Sequence, residues 1–395
     1  MTRLTGRAIS LAVAASLLAL SAWAGQAPEE LNDSVHLEDN SATNVRIVED
    51  DWKGVKIQPR VGKNVDLMAF AVNRVNSTEY GNRAAEYDKG MDELRKGNHK
   101  DAIRLLNVGL RKTSDAKQKQ YFYAGLVECY EASGDANAMR GAIRKLVPRD
   151  PKNAPRLIYD AYLKLGNSYL REGNFAKAEE SYKAAYEFFK NLEGISRQQK
   201  TLSGVLDYIK AFRLKAKYWM IYSMERQGVS KIKDRSGARR AYDLFAFEAT
   251  GKPGLVNLAK IGRARCDAIL GKVEQARKAL GKLQEELGKT KDGMKVLPAV
   301  YVALGDVAFA EGDYRKARWY YLSVIVKHSG NRDMVARSHF MAGQCYEKLR
   351  EKVREREALP RALRHYTIVA REFQDSLEHA AARKRMEAIK ARMGA

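Results

Sequence analysis

The chain has 395 residues, 45% apolar and 30% charged, with 71 Lys and Arg against 48 Asp and Glu and a formal net charge of +23. That balance is globular and excludes a disordered chain, while 8 Pro and 3 Cys exclude a collagen-like or proline-rich chain and a disulfide framework. The longest apolar stretch lies at the extreme N-terminus, so a polytopic membrane protein does not fit.

Residues 1–24 have the make-up of a secretory signal peptide. Arg3 and Arg7 carry no acidic neighbour, Ala8 to Leu20 form a short apolar run, and Ala22-Trp23-Ala24 places small residues where cleavage requires them. The run is shorter than the roughly 20 residues a spanning helix needs, so a cleaved leader is expected, with the mature chain starting at Gly25 and holding no transmembrane segment. The first Cys of the chain is Cys129, so no lipidated cysteine follows the leader, and the expected location is periplasmic or secreted.

Residues 25–44 are polar and acidic without a sustained apolar period, and a flexible segment is expected there. From 45 to 80 the pattern changes. Val45-Arg46-Ile47 and Val55-Lys56-Ile57 alternate around a polar Glu49 to Gly54 turn, which predicts a hairpin, and Val65 to Val75 offers a third strand. Two strands alone are marginal, so Trp52, Ile57, Leu67 and Phe70 are expected to pack on whatever follows.

Residues 81–376 repeat. The turns Gly97-Asn98, Gly134-Asp135, Gly173-Asn174, Gly228, Gly271 and Gly312-Asp313 recur, Gly ending one helix and the Asn or Asp beginning the next. After the turns come small and large residues four apart, Ala102/Leu106, Ala178/Tyr182, Ala276/Leu280 and Ala317/Tyr321, which share a helix face. Before them a small residue recurs, as in Gly90, Gly166 and Gly305, often with a tyrosine three positions later, such as Tyr130 or Tyr169, where two helices must approach closely. The pattern resembles the tetratricopeptide repeat, most clearly over Tyr159 to Leu192 and next over Pro298 to Asn331. The resemblance implies an all-α solenoid behind the small β-module, with about seven units starting near Arg83, Gln120, Tyr159, Leu214, Asn257, Pro298 and Ala336. A capping helix fills 377–395. Two copies, at Val229 to Arg240 and Arg350 to Arg361, read as carrying inserts between their paired helices. The Val48-Glu49-Asp50-Asp51-Trp52 string with Val55 is also similar to a short β-module ahead of repeats in exported bacterial proteins.

Catalytic patterns are weak. The six His form no HxxxH or HExxH pair. Gly288-Lys289-Thr290 ends like a phosphate loop, but Leu283 stands where its first glycine belongs. Ser114 to Lys117 matches S-x-x-K without its partner motifs. Cys129, Cys266 and Cys345 share one repeat position and are expected to be packing residues. No enzyme, metal or cofactor is expected.

Two binding surfaces remain. In the resembled family the first helix of each unit lines a concave groove, which implies a protein or peptide partner there and nominates Tyr87, Met91, Tyr121, Glu128, Asn167, Tyr218, Tyr222, Arg265, Phe340 and Gln344. Tyr and Arg are good anchors because they bury much area for little lost entropy. The alternative is a basic edge made of Lys231, Lys233, Arg235, Arg239 and Arg240, which would attract anionic envelope polymers or lipid head groups. Nucleic acid fits poorly with export.

Overall fold

In the computed structural model, residues 33–38, 41–58, 67–79, 84–148, 151–199, 201–202, 204–227, 232–353 and 357–394 are described below. The leader lies outside them.

Five strands form one antiparallel sheet in the order β4-β3-β2-β1-β5: β1 (Asp33–Leu37), β2 (Ser41–Asp51), β3 (Gly54–Gln58), β4 (Met68–Ala71) and β5 (Val75–Glu79). The hairpin expected from alternation is β2–β3, closed where Asp51 pairs with Gly54. Gly54 has φ +141°, and a Cβ there would sit 1.9 Å from the Phe70 carbonyl oxygen, so only glycine fits. The flexible reading of 25–44 is corrected: β1 and the start of β2 fall inside it. Val35 is fully buried and Val45 nearly so, in one cluster with Ile47, Val55, Ile57 and Val75, and that shared core is what sets the strands. Of the four residues expected to pack outward, Trp52 alone belongs to a helix core. Ile57 and Phe70 stay with the sheet, and Leu67 is 54% exposed.

Fifteen α-helices follow among the described residues. They are α1 (Ala85–Arg95), α2 (His99–Lys112), α3 (Ala116–Ser133), α4 (Ala136–Leu146), α5 (Ile158–Arg171), α6 (Phe175–Gln198), α7 (Val205–Gln227) and α8 (Ile232–Glu248). Then come α9 (Pro253–Ile269), α10 (Val273–Leu287), α11 (Lys291–Glu311), α12 (Tyr314–Lys327), α13 (Arg332–Val353), α14 (Ala358–Glu372) and α15 (His379–Gly394). Consecutive helices pack as seven pairs, and each pair packs on the next.

The turn chemistry works as the sequence suggests. Gly134 and Gly312 are left-handed, at φ 77° and 78°, while Asp135 and Asp313 accept from backbone N–H groups in the next first turn. The recurrent small residue has a steric cause. A Cβ on Gly166, Gly305 or Gly343 would lie 2.4, 2.6 or 2.7 Å from the ring of Tyr182, Tyr321 or Tyr366. The two inserts are corrected too: Ile232 already opens α8, and α13 runs to Val353 before α14 begins at Ala358, so longer helices absorb the extra residues. The last helix starts at His379, which leaves Leu377 in the link before it. Helix α11 is long and apolar enough to cross a membrane, yet Val300, Val302, Ala303, Leu304 and Val307 are buried among its neighbours. The three cysteines are buried, and burial pushes the Cys129 and Cys345 thiols up to about 11 and 12.

Candidate functional site

The first helices α5, α7, α9, α11 and α13 face a common hollow, which holds an open cavity of about 370 Å³. Its aromatic side comes from α7. Tyr218 and Trp219 meet edge to face with ring centroids 5.4 Å apart, and Trp219 meets Tyr222 in the same way at 5.4 Å. The Arg265 guanidinium lies 5.7 Å from the Tyr222 ring centroid, within cation–π range. Leu258, Val296 and Met334 supply apolar surface opposite.

Its charges are fixed by a device that recurs between units. A carboxylate on a first helix accepts from a tyrosine on the second helix and from an arginine on the next unit or cap. Tyr242 Oη donates to Glu225 at 2.7 Å, and Arg265 grips both Glu225 oxygens at 2.8 Å. Tyr321 Oη donates to Asp306 at 2.8 Å and Arg337 to the same carboxylate at 2.9 Å. Tyr366 Oη donates to Glu347 at 2.5 Å, with Arg385 of α15 at 3.3 Å in the role of the next arginine. In the third unit Asn167 takes the carboxylate's place and accepts from Tyr182 at 2.5 Å. Burial raises the Glu225 carboxyl, but Arg265 and Tyr242 outweigh it and hold it below the usual carboxylate range. Arg265 and Arg337 thus join successive units and face the hollow.

Of the ten nominated groove residues, Asn167, Tyr218, Tyr222 and Arg265 come together on this cavity. The others do not. Tyr121 is corrected from groove to joint: it is 7% exposed, and its hydroxyl binds Thr78 at 2.6 Å and Asp50 beneath the sheet. Tyr87 packs edge-on against Phe122, and Met91 packs over Gly125, both within the first two units. Glu128 is exposed on a separate hollow between α3 and α15. Phe340 meets Tyr366 at a tilt inside the last pair, and Gln344 is half-buried on α13 away from the cavity wall. Sequence reasoning passed over Trp219, Arg337 and the link residues Asp375, Leu377 and Glu378, all of which line the cavity. Arg337 occupies the second position of its unit, a groove-facing one, and was legible there.

The basic edge is also altered. Lys231 lies outside the described residues, and Lys233 and Arg235 fall in α8. Arg239 is not a free cation, because it pairs with Asp267 at 2.5 Å and Asp243 at 3.5 Å, whereas Arg240 is exposed. Among the described residues no group of three or more His, Cys, Asp or Glu is arranged to hold a metal ion.

No curated protein matches this sequence. Residues 159–191 match the tetratricopeptide repeat family model. Among solved structures, the apo form of RapI is similar in fold, with a TM-score of 0.50 at 11% identity over 77% of this chain and 98% of that one. The quorum sensor NprR from B. thuringiensis gives 0.36 at 14% identity over 71% and 75%, and yeast Tom70 gives 0.24 at 15% identity over 78% and 96%. With its paired helices and glycine-seated tyrosines the chain is a tetratricopeptide-repeat-like α-solenoid that follows a small N-terminal sheet, and its third unit, residues 159–191, is a tetratricopeptide repeat.

Proposed function

We propose that this chain is an exported, non-enzymatic scaffold that binds a protein or peptide partner in its concave groove. The observation that carries the reading is the convergence of the half-buried Trp219 and Tyr222 on one cavity of the concave side, where the nearly buried Tyr218 and Arg265 hold them in place. Aromatic and arginine side chains held rigid by their neighbours are the kind that dominate binding energy. Export rests on the residue 1–24 pattern, and N-terminal sequencing of the protein recovered outside the cytoplasm is expected to begin at Gly25.

The groove is tested by panning a random peptide library on the full chain. Replacing Trp219 and Tyr222 together with Ala is expected to weaken recovered peptides by about 2 kcal/mol or more, the scale of a hot spot. Recovery of no peptide, or of peptides indifferent to that change, would remove the reading. The basic edge draws less support, since Arg239 is already neutralised by Asp267 and Asp243. Anionic polymer binding that the Arg240→Gln chain loses and the Trp219 variant keeps would restore it.

A further inference from the structure

The hollow is already partly filled by the chain itself. The link between α14 and α15 crosses the concave side, and Leu377 is half-buried against the Tyr169, Leu170 and Tyr182 cluster of the third unit, next to Trp219 and Tyr222. The end of the array thereby touches its first half. Around this apolar anchor the polar contacts divide into two kinds. Asp375 is well placed, ion-paired with Arg332 at 3.3 Å. Glu378 is not. Its side chain is only 11% exposed, the Arg337 guanidinium lies 3.8 Å away, and that guanidinium is already held by Asp306 at 2.9 Å. Ser376 Oγ and Arg171 Nε are buried here without a hydrogen-bond partner among the described residues. A contact with one fitted apolar side chain, two unmet polar atoms and one loosely paired carboxylate is poor as a permanent joint and good as a contact that a better-matched segment can replace.

We propose that the Phe373 to Glu378 link is a displaceable internal ligand of the groove, and that the partner is a short peptide segment, folded in a turn as the link is, with an aliphatic side chain two residues after a carboxylate. The proposal rests on the groove being the binding surface and adds the partner's chemistry and a closed state. The partner's aliphatic side chain takes the place of Leu377 beside Trp219. Its carboxylate takes the place of Asp375 beside Arg332, in a hollow of mixed charge that Arg371 and Arg383 line along with Glu128, Glu131, Glu172 and Glu372. An uncharged residue where the link has Glu378 gives the partner its advantage, because nothing there must be stripped of water without a close cation.

The probe is a labelled synthetic peptide copying residues 372–380, titrated by fluorescence anisotropy into the full chain. With the link closed in roughly nine molecules of ten, Leu377→Ser is expected to tighten binding about tenfold by removing the internal competitor. Glu378→Gln relieves the link of its buried charge, holds it in place, and is expected to weaken binding about threefold, while the same change in the peptide tightens it. Opposite signs from two variants do not arise from a damaged fold, and Glu378→Gln keeps the side-chain volume. Equal binding by the Leu377→Ser and unaltered chains, shifts of one sign in both variants, or no binding of the peptide by any chain would overturn the proposal. A random library panned on the Leu377→Ser chain separates the two levels. Trp219-dependent peptides without the carboxylate-x-aliphatic pattern sink the proposal and leave the groove standing, whereas no peptides at all sink both.

Discussion

The solenoid is gripped at two places by segments that are not part of its repeats, and the two grips are built differently. At the N-terminal side the β2–β3 turn enters the loop ahead of α5. Trp52 is 1% exposed, its backbone N–H donates to the Ala154 carbonyl at 3.1 Å, its indole donates to the Lys152 carbonyl at 3.2 Å, and its own carbonyl accepts from Tyr159 at 2.9 Å. Beside it Asp50 pairs with Arg156 at 3.3 Å and accepts from Thr78 and Tyr121. At the other end the link before α15 seats Leu377 but leaves Ser376 and Arg171 with unmet atoms and Glu378 in a long 3.8 Å contact with a guanidinium that Asp306 already holds. Apolar burial drives both, and it does not distinguish them. Satisfaction of the polar groups does, and it marks the sheet as a fixed part of the array and the link as an exchangeable one.

The sharpest way to break this comparison is Trp52→Ala. Deleting a fully buried tryptophan costs about 3–5 kcal/mol, and the sheet is expected to detach from the array as it does so. Denaturant unfolding, followed with protease sensitivity of the Asp33 to Glu79 segment, measures both; a loss below about 1 kcal/mol would mean the joint is not built as described. Next comes Arg156→Met. Asp50 and Arg156 have side chains 4% and 10% exposed, so removing the cation strands a buried carboxylate, with an expected cost of about 3–5 kcal/mol. Asp50→Asn with Arg156→Met should recover part of it, since the orphaned charge is gone.

Much of the array was legible because repeats announce themselves locally. The Gly-Asp and Gly-Asn turns and the four-residue small-to-large steps depend on contacts within one helix pair, and Ala102, Ala178, Ala276 and Ala317 are all buried as that pattern requires. The sheet was half legible. Val45 to Ile57 alternates cleanly, but β1 has a short, acidic setting, and β5 follows a turn at Val72–Arg74, so neither stands out before its pairing partner is known. The groove residues at α7 and α9 were found because their unit register carries directly into space. Tyr121 was misplaced because its groove-facing position is covered by Thr78 and Asp50, which belong to another module. Leu377 was missed for a similar reason: the residues it packs on come from the third unit, a contact with no local signal.

The platform from which the link leaves has its own sensitivity, smaller than that of the sheet joint. His339 of α13 and His365 of α14 face each other with Nδ1 atoms 2.8 Å apart, so one ring donates and the other accepts. Tyr346 stacks on His365, Phe373 lies near His339, and the Arg364 charge acts on both rings. Burial, with Arg364 and for His365 also His339, pushes each imidazole down to about 4. A histidine whose folded value is depressed stabilises fully above its unfolded value, near 6.5, and loses that contribution as pH falls from there toward 4. At about 1.4 kcal/mol per unit, one ring accounts for roughly 3 kcal/mol by the bottom of that window. Hydrogen exchange is expected to quicken in α13 and α14 between pH 6.5 and 4.5 before it does in α5 and α6. His365→Gln should flatten that difference; equal quickening in both regions would show that the pair does not control it.

The smallest expected effect is the one that decides what the link is for. Leu377→Ala removes a half-buried side chain from a contact that already leaves polar atoms unmet, so the cost to global stability is expected to be about 1 kcal/mol or less. Its local effect should be large by comparison. Exchange of the Ser376 to His379 amides should rise with no matching change in α5 or α7, because the link opens while the array beneath it stays folded. A loss of about 3 kcal/mol, with exchange rising across the third unit as well, would place Leu377 in the same class as Trp52. The two grips would then differ in position and not in kind, and the unmet atoms around Glu378 would be a tolerated cost of closing the solenoid. A small global cost with local opening instead separates them physically: one module held because the polar groups of Trp52 and Asp50 have their partners, the other resting in a groove that is shaped for something better.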